Sequence, residues 1–167
     1  MEGKETFSGK AQFFLVDVES AINEGVNAFW LFDEKASTLD FYSELYEQDT
    51  SDFNEEVTTT LGDDLWYPNL FIVERVEVLP QFRGKNLAKL VIDEATRVFA
   101  GNTHVSALKA FPLQYEASVR NDEDEKYSSR EDSEVSATQK LVKLYESIGF
   151  HKIGNDNYMV RFNPFLN

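Results

Sequence analysis

A short basic loop joins a strand-forming segment to a helix-forming segment near the middle of the sequence, at Arg83, Gly84, Lys85 and Asn86. The first backbone N–H groups of a helix have no partner within it, so a loop at this place can aim several donors at one point. The two basic side chains and the positive helix end add charge, and Gly84 allows close backbone approach. The pattern predicts a phosphate site, although a similar turn also occurs in proteins that bind nothing there.

Alternating strand and helix patterns flank this loop. The order predicts an α/β fold (α+β, with a mixed sheet). Strands are expected at Ala11–Val18, Thr58–Leu61, Leu70–Leu79, Val105–Phe111, His151–Ile153 and Tyr158–Phe162, the last two as a hairpin. Helices are expected from Ser37 to about residue 48, at Gly84–Ala100 and at Ser136–Ile148, with Ser37 as a capping residue. The core stripe of the second helix is expected to comprise Leu87, Leu90, Val91, Ala95, Val98 and Phe99.

Composition excludes several kinds of chemistry. The 167 residues contain no Cys and only two His, which removes thiol catalysis, disulfides and Cys-ligated metals and argues against a metal site. With 42% apolar and 14% aromatic residues, the chain has enough apolar mass for one domain, residues 1–167. The longest apolar run, Ala28–Phe32, is far shorter than a membrane span, so we expect a cytoplasmic protein without a membrane partner.

Charge is divided unevenly along the chain. The formal net charge is −14, and residues 11–64 carry 14 acids and one base, Lys35. Residues 65–115 reverse the sign, with four acids and six bases. Nucleic acid is therefore a poor partner. The division suits a protein that holds an anionic cofactor in its middle and a cationic substrate at its edge, while a solvated acidic surface explains the same acids without a ligand.

The basic loop resembles the signature of the GNAT superfamily of acetyl-CoA-dependent N-acetyltransferases. Their R/Q-x-x-G-x-G/A motif, after a V-x-P strand end, is matched by Val78-Leu79-Pro80 and by Arg83-Gly84-Lys85-Asn86-Leu87-Ala88. Asn86 departs from the family's Gly, but Asn tolerates a left-handed backbone better than other non-Gly residues, and its side chain comes close to the pyrophosphate position. The family's L-Y-E-x-x-G-F helix end is matched by Leu144–Phe150, with Thr138 and Leu141 where the family often has Asn and Ala.

This resemblance covers residues 69–162 and leaves residues 1–64 as a variable part on the acceptor side. It implies a GNAT-like single domain whose central sheet is splayed between the strands at Leu70–Leu79 and Val105–Phe111. Acetyl-CoA would lie in that gap as co-substrate. The residues implied in its binding are Val76, Val78, Arg83, Gly84, Lys85, Asn86, Leu87 and Ala88.

Tyr145 occupies the position that serves the family as general acid. A phenol has a pKa of about 10, is neutral at about pH 7, and can give a proton to the leaving thiolate. The other interpretation places Tyr145 in the core beside Leu141 and Leu144.

Glu74 lies nine residues before Arg83, where some family members carry a general base. Strand alternation would put Glu74, Val76 and Val78 on one face and Arg75 and Glu77 on the other. Three charges in this strand suggest that it borders a wet cleft. The alternatives for Glu74 are an ion pair with a neighbouring strand, or a reaction in which a water chain serves as base.

Gln114 follows the strand that ends at Phe111, so it could contact the acceptor, or it could be an ordinary strand exit. His104 and His151 are interpreted as packing or surface residues.

Taken together, the motifs and charges predict acetyl transfer to a primary amine, either a cationic small molecule or a protein Lys or amino terminus. The rival is an acidic interaction or nucleic-acid-mimic protein that keeps a non-catalytic acyl-CoA site. Both readings leave the oligomeric state open, a homodimer included.

Overall fold

Five strands form one mixed sheet in the order β1-β2-β3-β5-β4. The computed structural model describes residues 6–62, 65–115 and 133–163. The strands are β1 Gly9–Val16, β2 Leu70–Val78, β3 Val105–Lys109, β4 His151–Ile153 and β5 Tyr158–Phe162. β2 and β3 run parallel, whereas the other neighbours are antiparallel. The mixed α/β class predicted from the sequence is confirmed, and so is the hairpin that β4 and β5 form.

Helices cover both faces of the sheet. One face packs against α1 Val18–Asn23, α2 Phe29–Phe32, α3 Ala36–Leu45 and α4 Glu55–Leu61, and the other against α5 Leu87–Phe99 and α6 Glu134–Glu146. Leu70 and Ile72 belong to the first apolar cluster, while Phe71 and Val73 belong to the second. Short 3₁₀-helices occur at Pro80–Phe82 and Leu113–Tyr115. Within the described ranges, no helix has the length and apolar character needed to cross a bilayer.

A β-bulge interrupts β2 at Glu74. Gln12 pairs with Arg75, but the next residue of β1, Phe13, pairs with Val73, so β2 holds one extra residue between them. With strict alternation, Val73 and Val76 would lie on opposite faces of the sheet. Both nevertheless pack against the same apolar cluster. Beyond the bulge the predicted division holds, since Arg75 and Glu77 pair on one face and Val76 lies on the other. What the bulge changes is how these faces continue those of Leu70–Val73, because it exchanges them at Glu74.

The strand expected at Thr58–Leu61 is wrong, since these residues complete helix α4. The Asn54 side chain caps α4 by accepting a hydrogen bond from the Val57 N–H at 3.0 Å. Glu55 and Glu56 stand in the first turn, where carboxylates favour a helix. Capping and the burial of Val57 outweigh the strand preference of its β-branched residues.

Two other predicted boundaries need correction. The first strand ends at Val16, and Val18 begins α1 because Asp17 caps that helix. Ser37 is not a helix cap, since α3 begins at Ala36. Thr38 fixes this start instead, because its single hydroxyl proton is shared between the carbonyls of Phe32 at 2.6 Å and Lys35 at 2.8 Å.

The buried stripe of α5 also differs from the predicted one. Ile92, Ala95 and Thr96 are buried, whereas Leu90, Val98 and Phe99 are exposed. Only Ala95 of the six predicted residues is buried. A helix that covers a sheet buries a narrow stripe, and the apolar residues of α5 exceed what that stripe holds.

The Arg161 side chain connects α5 and the end of α6 to the sheet. Its Nη1 donates to Asp93 Oδ1 at 2.8 Å and to the Ile148 carbonyl at 3.2 Å, and its Nη2 donates to Thr96 Oγ1 at 3.0 Å. The guanidinium carbon lies 4.8 Å from the centroid of the Phe150 ring. Arg161 thereby fixes both helices that carry predicted site residues.

Asp93 provides a test of this connection. Burial raises the pKa of its carboxyl, but hydrogen bonds from Lys89 and Arg161 lower it more, so the pKa lies below its ordinary value. The pairs with Lys89 and Arg161 therefore contribute stability above the unfolded-state pKa of about 3.9, and this is lost as pH falls through the folded-state pKa. We expect Asp93→Asn to reduce the stability lost between about pH 6 and about pH 3, measured by urea unfolding. Asp49→Asn, in an exposed turn, is the control, and equal pH dependence in both variants would contradict the expectation.

Candidate functional site

The parallel ladder between β2 and β3 is short. Among the described residues it pairs Leu70, Phe71 and Ile72 with Val105, Ser106 and Ala107, and ends there. Both strands continue, β2 to Val78 and β3 to Lys109. Val76 and Val78 therefore lie beyond the last pair, at the carboxyl end of the sheet where the basic loop begins.

The basic loop folds back on the end of β2. The Arg83 Nε–H donates to the Val78 carbonyl at 3.0 Å, and the Lys85 ammonium lies 5.3 Å from the centroid of the Phe82 ring. Gly84 has a φ of +75°, and a Cβ added there would meet no atom within 4 Å. The glycine thus supplies a left-handed turn with open space beside it.

Asn86 ends the loop and starts α5. Its backbone is left-handed, with φ 57° and ψ 21°, as the sequence predicted for an Asn in place of Gly. Its side chain makes no capping hydrogen bond, and the first turn of α5 contains no acid. The N–H groups of Leu87 and Ala88 therefore belong to a helix start without a side-chain acceptor, which is an arrangement that can bind an anion.

Tyr145 lies in the last turn of α6 and packs against the same apolar cluster as Val76. Its ring meets the ring of Phe150 edge-on, with centroids 6.1 Å apart. Burial raises the pKa of the Tyr145 phenol to about 12. The phenol therefore stays protonated at neutral pH, as an acid must before it donates. The packing contact expected of a core aromatic residue is present as well.

Glu74, the extra residue of the bulge, is half-buried. Glu77 of this strand is a buried carboxylate that pairs with Arg75 Nη1 at 3.2 Å and Lys10 Nζ at 3.4 Å. No ion pair of Glu74 occurs within the described part of the chain. Sequence reasoning missed the Glu77 pair because Lys10 is distant in sequence and the bulge turns Glu77 toward it.

A second group of polar side chains surrounds Tyr158 at the same end of the sheet. Lys109 Nζ donates to the Tyr158 hydroxyl at 3.2 Å and lies 4.6 Å from the ring centroid. Burial and the nearby Asp40, Glu44 and Asp156 carboxylates raise the pKa of this phenol well above its ordinary value. Asp40 and Glu44, from the amino-terminal part, therefore lie near the open end of the sheet, the end at which the β2–β3 ladder stops. The spacing of Asp40 and Glu44, one helical turn apart on α3, is the signal that could have indicated this.

The structure also places the remaining residues that the sequence analysis considered. His104 is buried, and its Nδ1 accepts a hydrogen bond from the Tyr67 N–H at 3.3 Å, while His151 is exposed at the start of β4. Gln114 is in the 3₁₀-helix Leu113–Tyr115, but its side chain falls outside the described part of the structure. The acidic run from residue 122 lies outside it as well, up to residue 132.

A cleft of about 410 Å³ lies at the opposite end of β5 from the basic loop. Its lining includes Thr60, Asp93, Gly149, His151 and Arg161, and none of the predicted site residues. Among the residues that the structure describes, no group of three or more His, Asp or Glu side chains is placed to hold a metal ion.

No family model, curated protein or solved structure matches the chain. The assignment of a function therefore depends on the residues and the geometry described above.

The left-handed backbone of Asn86 can be tested by substitution. An Ala at this position must adopt a conformation that costs a β-carbon-bearing residue about 1–2 kcal/mol, whereas Gly adopts it freely. We expect Asn86→Ala to lower the free energy of unfolding by about 1 kcal/mol and Asn86→Gly to change it little, both measured by chemical denaturation. If Ala and Gly proved equally stable, the left-handed start of α5 would be wrong.

Proposed function

We propose that the protein is an acetyl-CoA-dependent N-acetyltransferase that acts on a primary amine. The observation that carries the proposal is the end of the β2–β3 ladder at Ile72↔Ala107, beside a loop and a helix start suited to an anion. Strands that part at this place leave room for an extended ligand whose charged end lies on α5. The motif of residues 78–88, which resembles the GNAT signature, falls at this loop and helix start, and the second motif, residues 144–150, begins in the last turn of α6.

Acetyl-CoA binding divides between the loop and the strand. Arg83 and Lys85, with the N–H groups of Gly84, Asn86, Leu87 and Ala88, would bind the pyrophosphate. The backbone near Val76 and Val78 would pair with the amides of the pantetheine arm, because these residues lie beyond the last ladder pair. The bulge at Glu74 re-aims nearby backbone groups, and one N–H there could stabilise the oxyanion formed during attack.

Transfer needs a deprotonated amine and an acid for the leaving thiolate. The amine has a pKa of about 10 and must lie about 3.5 Å from the thioester carbonyl. Glu74 is the proposed base, since it is half-buried in the bulge and its carboxylate has no ion-pair partner within the described residues. Tyr145 is the proposed acid, because its phenol is protonated and packs on the side of the sheet to which Val76 turns. No covalent enzyme intermediate is required.

The acceptor is proposed to be cationic. Asp40, Glu44 and Asp156 lie near Tyr158 and outnumber the Lys109 ammonium beside its hydroxyl, so an approaching amine cation meets a net negative field there. Small amines and the Lys or amino terminus of a protein share this chemistry.

The rival function is that of an acidic interaction protein with a non-catalytic acyl-CoA site. It is favoured by Asn86, whose side chain stands where the family has Gly and therefore no side chain.

Cofactor binding gives the first test. We expect acetyl-CoA to raise the thermal midpoint of unfolding, with about 2.7 kcal/mol of stabilisation at a ligand concentration about 100 times Kd. Gly84→Ala should abolish the rise, because the added methyl group fills the space beside the left-handed turn. Gly25→Ala is a matched control, since Gly25 has a φ of +72° and no atom within 4 Å of an added Cβ.

The matched pair separates ligand binding from strain. Both substitutions strain a left-handed backbone equally, so their melting curves without ligand should be displaced by similar amounts. Only Gly84→Ala should lose the response to acetyl-CoA. A wild-type protein that shows no response up to millimolar acetyl-CoA would overturn the proposed function.

Tyr145→Phe tests the acid. We expect unchanged acetyl-CoA affinity and a kcat lower by roughly 10²- to 10⁴-fold, the usual effect of a positioned acid. Because burial raises the pKa of Tyr145 to about 12, the rate should show alkaline loss from this group only as the pH approaches that value. Tyr67→Phe, which removes a hydroxyl from a half-exposed ring, is the control. An unchanged kcat in Tyr145→Phe would assign Tyr145 to packing alone.

A further inference from the structure

Exposed apolar side chains and unbalanced negative charge coincide on the surface formed by α1, the turn that follows it and α2. Ile22, Val26 and Trp30 keep 44%, 41% and 63% of their surface exposed. Residues 17–34 contain five acids and no base. The α1–α2 surface is defined here by Ile22, Glu24, Val26, Trp30, Asp33 and Glu34.

The exposed apolar residues of α5 have different surroundings. Leu90 is as exposed as Trp30, at 63%, but the charges near it are paired within the helix. Lys89 Nζ lies 2.8 Å from Asp93 Oδ2, and Arg97 Nε lies 2.9 Å from Glu94 Oε2. Within the described residues, no ion pair involves Glu24, Asp33 or Glu34. Lys35, the next base along the chain, places its ammonium 4.3 Å from the centroid of the Phe14 ring on β1.

The α1–α2 surface is built on an ordered backbone. Asp17 caps α1 through the Ser20 N–H at 3.1 Å, and the Val26 N–H closes the helix end on the Ala21 carbonyl at 2.8 Å. The Phe29 ring, next to Trp30 in sequence, packs edge-on against Trp30 with centroids 5.4 Å apart. A surface that is already ordered loses little conformational entropy when it binds a partner.

We propose that the α1–α2 surface binds a basic amphipathic segment of another protein. The apolar side of that segment would cover Trp30, Ile22 and Val26, and its Lys or Arg residues would face the acids around them. Trp is enriched among the residues that dominate interface energies, and exposed apolar residues inside a charged rim are typical of docking sites. The three acids of this surface, Glu24, Asp33 and Glu34, select a partner of positive charge, since residues 17–34 contain no base. This inference goes beyond the proposed acetyl transfer and needs no acetyl-CoA.

The two tryptophans of the chain give a direct assay. Trp66→Phe leaves Trp30 as the fluorophore on the α1–α2 surface, and Trp30→Phe leaves Trp66, which is 78% exposed and precedes β2. The probe is a synthetic helical peptide of Leu and Lys with its Leu residues on one face. We expect it to shift Trp30 emission to shorter wavelength, with saturation, and to leave Trp66 emission unchanged. A response of Trp66 alone, or of neither, would overturn the proposal.

Two comparisons separate docking from attraction to the net charge. A peptide with the same Lys residues and Ser in place of Leu should bind at least about tenfold more weakly. Trp30→Ser should weaken binding of the Leu/Lys peptide by a similar factor, whereas Leu90→Ser, at an equally exposed site on α5, should not. Affinity should also fall between about 0.01 M and about 0.15 M salt, as the Debye length shortens from about 30 Å to about 8 Å.

The outcomes that contradict the proposal are distinct. Equal affinity for the two peptides, or wild-type binding by Trp30→Ser, would mean that charge alone attracts the probe. A shift of Trp30 emission with protein concentration, without peptide, would mean that a second copy of the chain covers this surface. None of these measurements contains acetyl-CoA, so their result is independent of the proposed function.

Discussion

The charges of β2 can be accommodated only because the strand exchanges faces at Glu74. Without the bulge, Glu77 would share a face with Phe71 and Val73 and enter the apolar cluster beneath α5, where an unpaired carboxylate is costly. With it, Glu77 stands opposite Lys10 in the β1–β2 register and pairs with Lys10 and Arg75. The same exchange turns Val76 toward the cluster against which Tyr145 packs. One inserted residue thus allows a strand with three charged residues to lie in a sheet that is covered on both faces. It also determines which side chains border the candidate site.

The two ends of the sheet are organised differently. At the carboxyl end of β2 the parallel ladder stops and a left-handed loop leads into α5. At the other end, Ser106 Oγ donates to Asn163 Oδ1 at 2.7 Å, and Asn163 Nδ2 donates to the Thr103 carbonyl at 3.1 Å, all of them buried. These satisfied buried hydrogen bonds fix β3 and β5 at this end. The end of the β2–β3 ladder at the other end therefore does not imply a weakly packed sheet.

Local signals in the sequence were sufficient where one residue determines the backbone. The basic turn, the left-handed Asn86 and the β4–β5 hairpin follow from Gly, Asn and strand patterns over a few residues. The α4 helix was missed because a cap at Asn54 and the burial of Val57 outweigh a β-branched run. The bulge and the Glu77 ion pairs depend on the register between β1 and β2, which are far apart in sequence. The buried stripe of α5 depends on how that helix lies on the sheet, and six apolar candidates did not identify it.

The composition of α4 favours local unwinding of this helix. Val57, Thr58, Thr59 and Thr60 are β-branched, and only Val57 of this helix is buried, so the helix has low intrinsic helicity and few contacts that resist its unwinding. Glu56 also accepts a hydrogen bond from the Gly154 N–H at 2.7 Å in the β4–β5 turn. Amide hydrogen exchange should therefore be fast in α4, and the Gly154 amide should exchange together with it. Thr60 lines the cleft beside Arg161, so unwinding of α4 would widen that cleft from its α4 side.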